Sequence, residues 1–174
     1  LFTFTGLGFI GLELYLIVKL SLLLGHPSYS LVLVLPLLLI FGGVGNLLAK
    51  KFQANSTKVI ACVVLTLILY LFFIDNLIVV ASPVNFWIRL AIAIPLLVIP
   101  SIGAGIIFGI CLKIVQSISE KMLPLALAVD GLASVLGGFL FTMVVLSLSY
   151  SVGLGMTIIF YLGVLVILRT RNKY

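Results

Sequence analysis

Six apolar runs divide the chain, with most of the polar residues gathered into the short gaps between them. A spanning helix needs about 20 mostly apolar residues. By that measure the runs predict spans over residues 4–24, 31–49, 59–80, 88–112, 124–148 and 153–168. The gaps on one side read GHPSYS, ASPVNF and SYSVG, all short. The other two gaps and the C-terminal tail are richer in lysine and arginine.

Composition strengthens this picture. Hydrophobic residues make up 64% of the 174 and charged residues 8%. An ordinary soluble domain carries about a quarter charged residues, and a chain this short cannot hide so much apolar surface in a core. The predicted fold class is all-α: a polytopic helical membrane bundle of six transmembrane helices, forming one transmembrane domain over 1–174 in the cell membrane. Cys62 and Cys111 both fall inside apolar runs and read as small buried hydrophobes, not as a disulfide.

The net charge of +6 follows from topology and does not call for nucleic acid. Lys50, Lys51 and Lys58 flank the second connection, Lys113 and Lys121 the fourth, and Arg169, Arg171 and Lys173 form the tail. With six spans these eight of the ten basic residues share one side, which predicts that both termini are cytoplasmic. The Asn-Ser-Thr sequon at 55–57 then also lies inside.

His26, the only histidine, sits in an outer turn. Gly25 ends the first helix in a left-handed conformation, Pro27 prevents its continuation, and Ser28 or Ser30 caps the next helix. Haem ligation would need a second histidine. Five ionisable residues fall in or beside spans: Glu13 near the middle of span one, Lys19 and Asp75 toward the outer side, Arg89 at the outer start of span four, and Asp130 in the inner half of span five. Such residues are costly in a bilayer and mark functional sites by default. They either pair and fix helix register, form a proton-coupled or polar-substrate site, or contact a partner subunit. Arg89 reaches the outer interface by snorkelling.

Span four is the least regular. Pro95 and Pro100 each remove a helical hydrogen bond, and Gly103, Gly105 and Gly109 follow, so a kink or break is expected there. Gly42, Gly43 and Gly45 in span two, and Gly137 and Gly138 with Ala133 and Ser134 in span five, form small-residue faces for close helix packing. No enzyme constellation is present. The run DGLAS at 130–134 starts like an alcohol phosphatidyltransferase signature, but no acidic residue follows Asp130. Four acidic residues and one histidine, spread along the chain, predict no metal, no cofactor and no catalysis by this chain alone.

Three blocks carry a resemblance: GLGFIGLELYLIVKLSLLLGHPSYSLVLVLPLLLIFGGVGNLLAKK at 6–51, RLAIAIPLLVIPSIGAGIIFGICLKI at 89–114 and LALAVDGLASVLGGFLFTMVVLSLSYSVGLGMTIIFYLGVLVILR at 125–169. Their order resembles the membrane region of the prokaryotic spermidine synthase-like integral membrane proteins. In that family a glutamate precedes an LGHP turn, a glycine-proline-rich span comes later, and a helix with (N/D)G-x-x-SVLG follows. Glu13, His26, Arg89 and Asp130 match its polar positions. Asp130 stands where many relatives are expected to carry asparagine. Such proteins fuse their spans to a soluble aminopropyltransferase-like domain that binds an S-adenosyl donor, and these residues contain no donor loop. The resemblance implies membrane architecture without that chemistry.

The leading expectation is a non-catalytic integral membrane subunit or anchor of a larger assembly, with the lipid bilayer and other membrane subunits as partners. The alternative is a small secondary transporter for an amphipathic or cationic substrate, using Glu13 and Asp130 on either side of span four. A subunit predicts buried ion pairs and a broad apolar lateral contact. A transporter predicts a polar cavity joining the two carboxylates.

Overall fold

The computed structural model describes residues 1–171, and Lys173 of the predicted basic tail lies outside them. Among the described residues the regular elements are all helices: α1 Phe2–Leu24, α2 Pro27–Phe52, α3 Ser56–Ala81, α4 Phe86–Ile118, α5 Leu123–Ser147 and α6 Tyr150–Arg171. Single 3₁₀ turns, Gln53–Asn55 and Glu120–Met122, lie in the α2–α3 and α4–α5 connections. All six long helices have the length and apolar composition to cross a membrane. The predicted spans map onto them one to one. Several helices outrun their apolar windows, because lysine and glutamine continue a helix as readily as leucine does.

α1 lies at the centre and packs against each of the other five long helices. α2 lies along α4 in the most extensive pairing, α5 rests on α1, and α6 fills the angle between α1 and α3. α2 and α5 are the most peripheral, with only 17% of their most apolar window buried, against 50% for α1. Exposed Leu, Val and Phe side chains cover their outer faces. This is the surface expected of helices that border lipid.

The α1–α2 turn is tighter than predicted. Gly25 has a φ of 82°, the left-handed conformation that glycine adopts without strain, and its N–H donates to the Ser21 carbonyl. The expectation that Ser28 or Ser30 caps α2 is corrected. The cap is His26, whose Nδ1 accepts from the Ser28 N–H at 3.2 Å, and Pro27 opens the helix where no N–H is required. Ser30 instead donates across to the Ile17 carbonyl of α1 at 2.5 Å. Tyr29 stacks at 5.4 Å on Phe86, which meets Trp87 at 5.8 Å, so the α1–α2 and α3–α4 turns share one aromatic end of the bundle.

Of the kink or break expected in span four, the break is corrected. α4 is a continuous helix of 33 residues through Pro95, Pro100, Gly103 and Gly105. Proline at 100 removes the N–H that would serve the Leu96 carbonyl. The hydroxyl of Tyr70 on α3 donates to that oxygen instead, at 2.6 Å. A neighbouring side chain thus replaces the missing helical bond. Tyr70→Phe is expected to destabilise the fold by about 1–3 kcal/mol, the cost of a buried carbonyl left without a donor. Adding Pro100→Ala, which restores the N–H, should recover most of that loss in equilibrium unfolding. No recovery would show that the Tyr70 hydroxyl does not serve this carbonyl.

Candidate functional site

A cavity of about 240 Å³ lies where α1, α2, α4, α5 and α6 meet. Ile107 and Tyr161, both almost fully buried, form part of its wall. Its polar side chains are the Asp130 carboxyl, the Thr5 and Tyr161 hydroxyls and the Asn46 amide. Asp130 lies about two turns into α5, roughly 10 Å along its axis from Leu123. Close approach of α5 to α1 holds it there. Gly6 leaves room for the Asp130 backbone carbonyl, and Ser134 Oγ donates to the Gly6 carbonyl at 3.3 Å.

Thr5 Oγ1 lies 2.8 Å from Asp130 Oδ1 and 2.9 Å from the Phe2 carbonyl oxygen. A hydroxyl has one proton to donate. When Asp130 is ionised, Thr5 donates to it. When Asp130 carries a proton, that proton can be donated to Thr5, whose own proton turns to Phe2. One geometry therefore serves both protonation states.

The other ionisable residues are arranged separately. Lys19 is buried on α1 and pairs with Asp75 of α3, and its ammonium also lies 5.7 Å from the centre of the Tyr15 ring. Arg89 is half-buried near the start of α4, at the end of the bundle toward which it was expected to snorkel. Its Nη1 lies 3.4 Å from the Leu23 carbonyl oxygen, at the end of α1 where a cation complements the helix dipole. Glu13 is half-buried on α1, eight residues or about 12 Å along the helix from Thr5, and does not line the cavity. The expected single cavity joining Glu13 and Asp130 is therefore not formed. Cys62 is exposed, correcting its reading as a buried residue, whereas Cys111 is buried. Among the described residues no three His, Cys, Asp or Glu side chains come together as a metal site would require.

The small-residue faces have mostly been spent inside the chain. Gly42 and Gly45 of α2 meet Gly105 and Ile102 of α4, and Gly137 of α5 lies against Leu7 and Ile10 of α1. Gly138 has only an ordinary contact distance to Ile10, and Gly103 faces Val63 of α3. Thr5, Phe9, Asn46 and Tyr161 were missed as site residues because they carry no formal charge. The available signal was an uncharged amide, Asn46, in an otherwise apolar run directly after three closely spaced glycines.

No family model matches the chain, and neither a curated protein nor a solved structure does.

Proposed function

We propose that this multi-pass membrane protein is a small carrier for organic cations, with Asp130 as the binding carboxylate. One observation carries the reading. Asp130 faces a cavity within the bundle, and no Lys, Arg or His side chain lies within 4 Å of it among the described residues. Lys19 is engaged by Asp75, and Arg89 by the end of α1.

An ionised carboxylate at this depth is costly unless it is protonated or paired. A proton and an organic cation are alternative ways to neutralise it. Binding one therefore favours release of the other, and the two-way hydrogen bonding of Thr5 suits that exchange. Glu13, outside the cavity, has no part in the exchange. The subunit or anchor reading retains the Lys19–Asp75 pair and the exposed apolar faces of α2 and α5, but Gly42, Gly45 and Gly137 are occupied by the chain's own helices.

Proteoliposomes test this with hexyltrimethylammonium, a quaternary cation that cannot cross as a neutral base. Its addition is expected to drive proton movement, read by an internal pH dye. Two opposite unit charges about 4 Å apart attract by about 4 kcal/mol at an effective dielectric constant near 20, so removing the charge in Asp130→Asn should reduce the rate at least about tenfold. Glu13→Gln should keep most of it. Equal rates in wild type and Asp130→Asn would refute the carrier reading.

We further propose that both termini face the cytoplasm, as the clustering of basic residues favours. In intact cells lacking the other cysteines, a cysteine at Ser28 should react with an impermeant thiol reagent and one at Asn55 should not. The reverse pattern would invert the topology.

A further inference from the structure

The cavity has a mouth, and the mouth does not lie at an end of the bundle. Gly43 and Leu39 of α2 line the cavity and are also exposed, Leu39 by 69%. Asp130, on α5, lines it from another side and is half-buried. α2 and α5 share no extended packing with each other, although both pack on α1. The opening is therefore lateral, between two peripheral helices whose outer faces are apolar.

Its depth can be read from α2. Gly43 is nine residues from the end of that helix at Phe52 and sixteen from its start at Pro27, roughly 14 and 24 Å along the axis. The hydrocarbon core is about 30 Å thick, so this opening lies among acyl chains, below the headgroups. A hydrophilic cation has no route to it through lipid. A cation carried on an alkyl chain has one.

The size of the cavity points to the same class of ligand. About 240 Å³ falls below the roughly 300–1,000 Å³ of sites that enclose a drug-sized ligand. It accommodates a small ammonium head and a few methylenes, and a longer tail must remain in the opening, against lipid. Position 43 borders that open space: a Cβ there would have no atom within 4 Å.

We infer that the Asp130 cavity takes its ligand sideways from the bilayer through the gap between α2 and α5, and that the ligand is an amphiphile with an ammonium head and an alkyl tail. This rests on the cation-carrier reading and adds the route and the tail.

The experiment uses the full chain in proteoliposomes with tetramethylammonium, hexyltrimethylammonium and tetradecyltrimethylammonium, all at the same aqueous concentration and with exchange by protein-free vesicles subtracted. Cysteine replaces Gly43 in a Cys62→Ala background, and a bulky thiol reagent is attached after folding, so that failure to fold does not enter. Attachment is expected to reduce exchange of both alkylated cations at least tenfold, and tetramethylammonium should be a poor substrate throughout. Comparable exchange of all three cations, unaffected by the attached group but abolished by Asp130→Asn, would overturn lateral access and leave the cation reading standing. Exchange of none of them, in wild type as in Asp130→Asn, would overturn both.

Discussion

Gly105→Leu is expected to destabilise the bundle by more than about 3 kcal/mol, while Gly43→Ala in the facing helix leaves stability within about 0.5 kcal/mol of wild type. At Gly105 even a Cβ would run into the backbone of Gly42, its carbonyl oxygen, carbonyl carbon and Cα all being too close. Overpacking with side chains that can rotate away costs about 1–3 kcal/mol. Here the obstruction is main chain held in a helix, so the two axes must separate along the most extensive pairing in the fold. A loss above about 3 kcal/mol follows, large against a total stability of roughly 5–15 kcal/mol. The measurement is the folded fraction after extraction, read by size exclusion and by equilibrium unfolding. A well-folded Gly105→Leu protein would show that α2 and α4 do not cross at Gly42 and Gly105.

Asp75→Asn should cost more than removing the whole Lys19–Asp75 pair. The two partners differ in environment: the Lys19 side chain is 7% exposed and that of Asp75 57%. Losing Asp75 leaves the lysine's charge buried without a counter-ion. Breaking a buried pair costs about 3–5 kcal/mol, and because Asp75 is open on one side the lower end, about 3 kcal/mol, applies. The double variant Lys19→Met with Asp75→Leu replaces both charges with apolar groups of similar size and should return to within about 1 kcal/mol of wild type. Unfolding in mixed micelles supplies the stabilities of wild type, Asp75→Asn and the double variant. If the double variant is as unstable as Asp75→Asn, the pair contributes by packing and not by compensating charge.

The six helices were legible because each apolar run is long and the interruptions are polar, glycine or proline. Lys19 and Asp75 could be placed toward the same end from their distances to the nearest turns. Their pairing required knowing that α3 lies beside α1, which hydropathy does not encode. The continuity of α4 was hidden for a similar reason. Two prolines weaken a helix locally, and the tyrosine that compensates one of them comes from α3. His26 escaped as a cap because serine, threonine, aspartate and asparagine dominate that position, although a neutral imidazole nitrogen accepts the same bond. The cavity was legible only in its charged member. Thr5 acquires meaning from its hydrogen bond to Asp130, and Asn46 from facing the same cavity, and that juxtaposition comes from the packing of α2 and α5 on α1.

The central position of α1 has a consequence in time. It is synthesised before every helix it packs against, and Asp75 follows Lys19 by 56 residues. At roughly 5–20 residues per second, Lys19 waits on the order of several seconds in the translocation machinery or the bilayer before its counter-ion is made. α5 and α6, which complete the covering of α1, arrive later still. The nascent chain therefore passes through an interval in which its most interior helix is its most unsatisfied one. Synthesis slowed between residues 24 and 75 should prolong that interval and expose α1 to degradation, although the finished protein would be unchanged.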